Sequence, residues 1–376
     1  MNITFISDQF YPRTSADSEQ IVSSLSALNS LANVTLLSAK YAYRKEITNQ
    51  DLKAYYGKNS EFNLSFINHL IPNIRGIEKL TFAIRSALKI KNSHCELVYT
   101  RNIPILISVL MFTSIPIVFE TYRPWPNQNR LSHYFFSKIS RIKKIIGIVL
   151  HSEFAKKSFL EVGFCASKLL VAHNAFDLKE YDVVEPVEVR RTYSLPEDKL
   201  ITVYSGRVNN EKGLQRMLSL AGRFKDAFFL IVGSEGEGDI EKEAKIHDNV
   251  KVLGWMDKKA VFSILQASDI LYIPPTLMAR EVSKNTVLPL KTFIYKAAGR
   301  AILAPDSEDL CEVLTHNETA FLVDPDNDDE ENKAFSTLIN DNKLRDSLGK
   351  AAKEEMTELT WKNRATGIYN FIRSNL

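Results

Sequence analysis

The chain is predicted to fold as two α/β domains, each built on a parallel sheet. Short β-branched or aromatic runs such as Asn2–Ser7, Ile145–Leu150 and Phe228–Gly233 alternate with stretches of helical apolar spacing. Such continuous runs suit strands covered by helices on both faces. The length of 376 residues is too great for one ordinary core and suits two domains of roughly 150 to 200 residues each. An acidic stretch from Leu178 to about Lys199, interrupted by Pro186 and Pro196, reads as the linker between them.

The composition, 45% hydrophobic and 25% charged, is that of a soluble globular protein. A formal net charge of +3 is too small to argue for a nucleic-acid partner, so a basic surface must come from local clustering. Cys95, Cys165 and Cys311 lie far apart with no CxxC, which suggests neither a metal site nor a disulfide framework, and the chain reads as cytoplasmic. Met1–Ile6 lacks a basic start and a long apolar run, so it reads as a strand and not as a signal peptide. The apolar run Ile103–Phe119 contains Pro104 and Pro116 and falls short of the roughly 20 residues of a spanning helix.

The most informative stretch is Leu200–Leu218. Leu200–Tyr204 is a buried strand, Ser205-Gly206 ends it, and Leu214, Met217, Leu218 and Ala221 repeat at helical spacing. Arg207 and Lys212 stand between strand and helix. Two cations outside the carboxyl end of a parallel strand, facing a helix start, make a place for a phosphorylated ligand; a surface loop with two solvated cations is the alternative.

Gly206-Arg207 followed by Glu211-Lys212-Gly213 resembles the signature of the C-terminal domain of family 4 retaining glycosyltransferases, and the resemblance extends over nearly the whole chain. It implies the GT-B fold: two Rossmann-like domains with parallel sheets facing a cleft, and a C-terminal helix that crosses back to the N-terminal domain. The implied divisions are 1–178 for the acceptor, 179–356 for the nucleotide-sugar donor, and 357–376 for the returning helix. In the family the Arg and Lys grip the donor diphosphate, which makes Arg207 and Lys212 the catalytic candidates.

In the first half, Asn2–Ser7 is followed by the loop Asp8–Arg13 and a helix that starts at Ser15, Asp17 or Ser18 and runs to about Leu31. Val34–Ser38 is the second strand, giving a right-handed parallel crossover. The family has a glycine-rich loop after the Tyr-Pro pair; here Thr14-Ser15-Ala16-Asp17-Ser18 follows Tyr11-Pro12, and these side chains hold a ligand away from the backbone. Tyr41–Ile90 is rich in charges and aromatics and helical over Ile77–Ile90. It is either a solvated face or a surface for an anionic membrane leaflet, as is the aromatic and basic stretch His133–Lys144. Leu97–Arg101 and Pro116–Glu120 are strands around the helix Ile103–Met111. In the family a His or Asp lies beneath the transferred sugar just after this Glu, where the chain has Thr121, Tyr122 and Arg123. Arg123 is no base at neutral pH, but it suits an anionic group such as a phosphate or a sugar acid. Arg13, Arg101, Glu120, Tyr122 and Arg123 are the acceptor-binding candidates. Ser152 caps the next helix, which Val162-Gly163 closes, and Lys168–Ala172 is a strand. His173–Asp177 then forms a hinge in which His173 serves as a hydrogen-bonded residue, and Ala175 replaces a glycine at about 1 kcal/mol if the backbone there is left-handed.

In the second half, Phe228–Gly233 leads into the flexible Gly233–Gly238 loop, and Val250–Gly254 leads to Trp255-Met256, where the family seats the nucleotide base. Lys258–Ala267 is a helix and Ile270–Pro275 a strand. Pro289–Gly299 resembles the family helix whose glutamate, the second of a pair, binds the ribose hydroxyls; the pair falls on Thr286 and Ile294, neither acidic. Glu281 is the nearest substitute. The donor-binding candidates are therefore Gly206, Gly233, Trp255, Met256, Glu281, Leu290 and Lys291. Ala301–Asp306 is a strand, Thr319–Pro325 a hairpin-like strand, and Asp326–Glu331 an acidic connector. Helices follow, the last being Trp361–Ile372.

The resemblance implies a nucleotide-sugar donor, a saccharide or lipid-linked acceptor, peripheral contact with an anionic membrane, and no cofactor or metal, since protein cations neutralise the leaving diphosphate. Three readings stand open. One is a sugar transferase of surface-polysaccharide assembly. A non-catalytic GT-B subunit that positions an active partner would explain the missing glutamates. A nucleotide-sugar 2-epimerase would need acid and base carboxylates that the sequence does not identify.

Overall fold

The computed structural model describes residues 1–13, 15–41, 45–57, 61–68, 75–236, 238–275 and 288–376. Two compact units form, one from residues 1–174 with 361–376 and one from residues 175–360. Each is an α/β domain on a parallel sheet, as the apolar runs predict.

In the first unit, β1 (Asn2–Ser7), β2 (Asn33–Lys40), β3 (Asn63–Asn68), β4 (Leu97–Thr100), β5 (Ile117–Thr121), β6 (Ile145–Leu150) and β7 (Leu169–Val171) pair in the order β3-β2-β1-β4-β5-β6-β7. The order reverses between β1 and β4, which opens a crevice outside their carboxyl ends. Helices α1 (Ala16–Leu28), α2 (Asn49–Tyr56), α3 (Arg75–Lys91), α4 (Ile103–Phe112), α5 (Arg130–Ile139) and α6 (Glu153–Glu161) connect the strands. Ser15 caps α1, its Oγ accepting from the Ser18 N–H at 3.3 Å, and Ser152 caps α6 in the same way.

Sequence periodicity misses β3 and α2. β3 is an edge strand with polar Asn63, Ser65 and Asn68, so it lacks the continuous apolar run of the interior strands. α2 does carry a legible signal: Thr48 and Asp51 form a capping box, and Gly57 ends the helix in the left-handed conformation at φ +69°.

The C-terminal helix, Trp361–Asn375, packs within the first unit. Its Ala365, Ile368 and Ile372 join Ile3, Phe5, Val22 and Leu25 in one core cluster. Each buried isoleucine contributes about 1.5–3 kcal/mol. On β6, a side-chain carbon at Gly147 would run into the Phe371 ring, so glycine there lets the helix lie close to the sheet.

In the second unit, β8 (Ile201–Ser205), β9 (Phe228–Ser234), β10 (Val250–Gly254), β11 (Ile270–Tyr272), β12 (Ala301–Pro305) and β13 (Phe321–Val323) pair in the order β10-β9-β8-β11-β12-β13. Helices α7 (Pro186–Thr192), α8 (Leu214–Arg223), α9 (Asp239–Ala244), α10 (Lys258–Ala267), α11 (Lys291–Ala298), α12 (Asp328–Asn340) and α13 (Asn342–Glu355) accompany them. Val203, Leu230, Leu271 and Ile302 face one core cluster, and Tyr204, Phe229, Ile231 and Leu303 the other.

Two expectations change. β13 is not a hairpin partner: Phe321–Val323 runs parallel to Leu303–Pro305, because the turn Leu310–Glu312 and the loop after it return the chain to the starting edge. The positive-φ residues other than glycine among those described are Ser194 and Asn317, so Ala175 bears no left-handed strain.

Candidate functional site

β8 is buried throughout and delivers Gly206 to the point where strand order reverses between β8 and β11. Here the backbone needs bare glycines. A side-chain carbon on Gly213 (φ +67°) would collide with the Pro275 carbonyl oxygen, and one on Gly233 (φ +111°) would lie 2.5 Å from the Gly206 oxygen. The turns after β8 and β9 thus meet backbone to backbone.

Two tyrosines lock this corner. The Tyr204 hydroxyl donates to the Arg207 carbonyl at 2.8 Å, and the Ser205 N–H donates to the Tyr295 hydroxyl at 2.8 Å. Lys291, at the start of α11, lies over Tyr204 with Nζ 3.6 Å from the ring centroid. Lys212 occupies the tight turn Asn210–Lys212 just ahead of α8 and is close enough to Lys291 to repel it. Burial first, and Lys212 second, hold the Lys291 ammonium well below the usual lysine range. Arg207 is exposed.

Among the described residues, no carboxylate pairs with Arg207, Lys212 or Lys291. Elsewhere in the unit such pairs do form: Arg216 meets Glu331 at 2.9 Å and Arg190 meets Asp269 at 2.8 Å. Two lysines and a neighbouring arginine with no carboxylate pair among the described residues, Lys291 being largely withdrawn from water, suit a polyanion such as a diphosphate.

The structure gathers Gly206, Gly233, Lys212 and Lys291 at this corner, with Arg207 following Gly206. Leu290 leads into α11, whose first turn has no side-chain cap. Trp255 and Met256 follow β10, two strands away; Trp255 is 62% exposed, and Met256 packs on the core. A cavity of about 420 Å³ opens beside that strand end, lined by Ser234, Gly236, Glu241, Val252 and Gly254, and neither Trp255 nor Met256 lines it. Glu281 and Thr286 lie outside the described residues. Ile294 packs against the core. Tyr204 is a site residue that sequence reasoning missed, because an aromatic inside a buried run reads as core.

In the first unit a cavity of about 260 Å³ opens at the carboxyl ends of β1, β4 and β5, and Arg101, Glu120, Tyr122 and Arg123 all line it. Arg13 does not; its backbone N–H donates to the Tyr56 hydroxyl at 2.8 Å, and its residue is exposed. Glu120 and Arg101 form the anchor of the cavity wall. Glu120 Oε1 accepts from Arg101 Nη2 and Arg364 Nη2, each at 2.6 Å, and meets His151 Nε2 at 2.7 Å; Oε2 accepts from the Tyr99 hydroxyl at 2.6 Å. Arg101 Nη1 also donates to Asp17 at 2.9 Å and to Gln20 at 2.6 Å. With its oxygens thus engaged, Glu120 shapes the wall and has little left to offer a ligand.

Burial opposes the Glu120 charge, but Arg101 and then Arg364 outweigh it and hold the carboxyl well below the usual range. Burial pushes the His151 imidazole down to about 4, against the opposing pull of Glu120. His151 and Arg364 were not identified as site residues from sequence. Neither has a local signal, since Arg364 reaches Glu120 from the C-terminal helix while also donating through Nε to the His173 carbonyl at 3.0 Å.

Replacing Glu120→Gln is expected to destabilise the first unit by about 3–5 kcal/mol in urea unfolding, because the buried Arg364 loses its carboxylate and Arg101 keeps only Asp17. His151 binds its proton less readily folded than unfolded, so its contribution is complete above pH 6.5 and lost as pH falls toward about 4. Melting points from pH 7 to 4 should show that slope and a shallower one in His151→Gln; identical slopes would contradict the assignment.

Comparisons with known proteins bear on the fold and on what the chain resembles. Residues 188–355 match the family model described as Glycosyl transferases group 1. The chain is 23% identical over 248 residues to an uncharacterized glycosyltransferase of Methanocaldococcus jannaschii, covering 62% of this chain and 60% of that one. It is 24% identical over 225 residues to the phosphatidyl-myo-inositol mannosyltransferase of Mycolicibacterium smegmatis, covering 58% and 55%. The matched stretch thus spans little more than half of these relatives. Among solved structures, a glycosyltransferase from Rickettsia africae superposes with a TM-score of 0.75 at 16% identity over 99% of this chain and 98% of that one. HepE of Anabaena in complex with UDP-glucose superposes with a TM-score of 0.75 at 13% identity over 100% of both. The structural likenesses show the GT-B fold, and the family match covers residues 188–355, most of the second unit.

Proposed function

We propose that this chain acts as a family 4 retaining glycosyltransferase, moving a sugar from a nucleoside diphosphate sugar to a hydroxyl of a saccharide or lipid-linked acceptor in cell-surface polysaccharide assembly. The observation that carries the reading is Lys212 and Lys291 beside Gly206, with Arg207 next in the chain and no carboxylate pair for any of the three among the described residues. As the bond from the anomeric carbon to the diphosphate oxygen breaks, negative charge gathers on the departing phosphate. Arg207 and Lys212 stabilise that charge more in the transition state than in the bound donor. The acceptor oxygen bonds to the anomeric carbon on the face that the diphosphate leaves, and its proton passes to the departing phosphate oxygen. In this reading the protein cations take the part of a metal ion. The UDP-glucose held by HepE supports a nucleotide-sugar donor.

Combined replacement Arg207→Ala and Lys212→Ala is expected to lower donor turnover by about 10³-fold or more, since losing a single such stabilising contact costs about 10²–10³-fold. EDTA should leave wild-type turnover unchanged. Undiminished turnover in a folded double variant would sink the reading.

A diphosphate beside Lys291 would bring its ammonium back toward the ordinary range, so donor binding should take up a proton where free Lys291 is partly neutral. Calorimetry with UDP between pH 7 and 10, in buffers of different ionisation heat, should show uptake in the wild type and none in Lys291→Met. Equal enthalpies in all buffers would count against it.

The proposal extends to a peripheral seat on the anionic inner face of a membrane. No helix among the described residues is long and apolar enough to cross one. On α5, however, Leu131 and Tyr134 are 78% and 61% exposed, and Lys138 lies one turn on, with Nζ 5.1 Å from the Tyr134 centroid. Each surface cation adds about 1 kcal/mol on an anionic leaflet. Sedimentation with phosphatidylglycerol vesicles should carry the protein down at low salt, and Leu131→Glu with Tyr134→Glu should release it; indifference to both would refute the contact.

A further inference from the structure

We propose that the acceptor taken by the first-unit cavity carries an acid group, a phosphate or a carboxylate, and that Arg123 receives it. The inference rests on reading that cavity as the acceptor site. At about 260 Å³ it is small beside ligand pockets of roughly 300–1,000 Å³, which suits one polar head rather than a long chain.

The charges around the cavity pair off, leaving one over. Asp17 is met by Arg101 at 2.9 Å, Glu120 by Arg101 and Arg364 at 2.6 Å, and Asp8 by Lys79 at 3.7 Å. Arg123 has no ion pair among the described residues. Its guanidinium carbon lies 5.5 Å from the ring centroids of both Tyr122 and Trp125. Its backbone N–H donates to Thr121 Oγ1 at 3.0 Å, and its carbonyl accepts from the Trp125 N–H at 2.8 Å. Aromatic faces steady a guanidinium without filling its N–H edges, so the planar fork that matches a carboxylate or phosphate stays open.

A second observation points to a ligand with oxygen acceptors in the same cavity. Arg101 lines this cavity with its side chain only 10% exposed, and its Nε is buried without a hydrogen-bond partner among the described residues. A buried unfilled donor carries a desolvation penalty that a ligand oxygen would relieve. A neutral sugar would leave the Arg123 charge to water, whereas an acidic one completes the balance.

Titration of the intact chain with glucose 6-phosphate, glucuronate and glucose tests this. At least one acid is expected to bind about tenfold or more tightly than glucose, the scale of a hydrogen bond to a charged group. In Arg123→Gln, whose exposed position tolerates the change, that acid should fall to the level of glucose, with an unchanged melting point as the check on folding. Phosphatidylinositol vesicles distinguish the source of the acid. Arg123-dependent binding to those vesicles alone assigns it to a lipid headgroup, and to the free acids, a soluble sugar. Glucose binding as tightly as every acidic probe, or Arg123→Gln retaining the preference, would overturn the proposal. Hydrolysis of donor by the wild type without acceptor tests the transferase reading separately: hydrolysis with no acid preference removes the acid site alone, and acid preference with no hydrolysis removes the transferase alone.

Discussion

All strands in a parallel sheet point the same way, and that constraint collects the loops of each unit at one end. In the first unit it brings the loops after β1, β4 and β5 together around one cavity; in the second it sets the turns after β8 and β9 in contact at Gly206 and Gly233. Polar groups gathered this way must either satisfy one another or wait for a ligand. The two units take opposite courses.

Around its cavity the first unit satisfies nearly all of the charge internally. Glu120 joins β5 to β4 through Arg101, to the end of β6 through His151, and to the C-terminal helix through Arg364. Taking these groups out of water costs so much that an apolar core of equal shape would often be as stable. What the network contributes is position: the wall residues beside it have no freedom to drift, and Arg123 extends from a loop whose backbone is already hydrogen-bonded on both sides. The second unit leaves Arg207, Lys212 and Lys291 without a carboxylate partner among the described residues, and burial, with Lys212 close by, lowers the basicity of Lys291.

Much of this was legible in the residues. The interior strands announce themselves as continuous apolar runs, and Ser15 and Ser152 as caps. Glycine next to the cations Arg207 and Lys212 marks a close backbone approach. The edge strand β3 was illegible because its polar exposed face breaks the run, and the direction of β13 because strand content says nothing of the route back. The Glu120 network was beyond reach for a different reason. Arg101, His151 and Arg364 are separated from it by 19, 31 and 244 positions, and no local pattern encodes a contact formed only when four elements have packed. Arg123 lay between, since Tyr122 and Trp125 flank it in sequence but only the folded loop places both rings near its guanidinium.

Ile294 gives the second unit its meaning. It follows Lys291 by three positions on α11, the spacing at which side chains of a helix meet. A glutamate there would lie within reach of the ammonium and cancel part of its charge; isoleucine packs on the core and leaves Lys291 unpaired among the described residues. The absence of a carboxylate at position 294 therefore leaves a stronger positive field at this corner. A chain that only positioned a partner would have no use for that field, and a single acidic residue at the corner would stabilise it. Holding Lys212 and Lys291 close enough to repel each other, with an exposed arginine next to Gly206, makes physical sense where an anion arrives to join them.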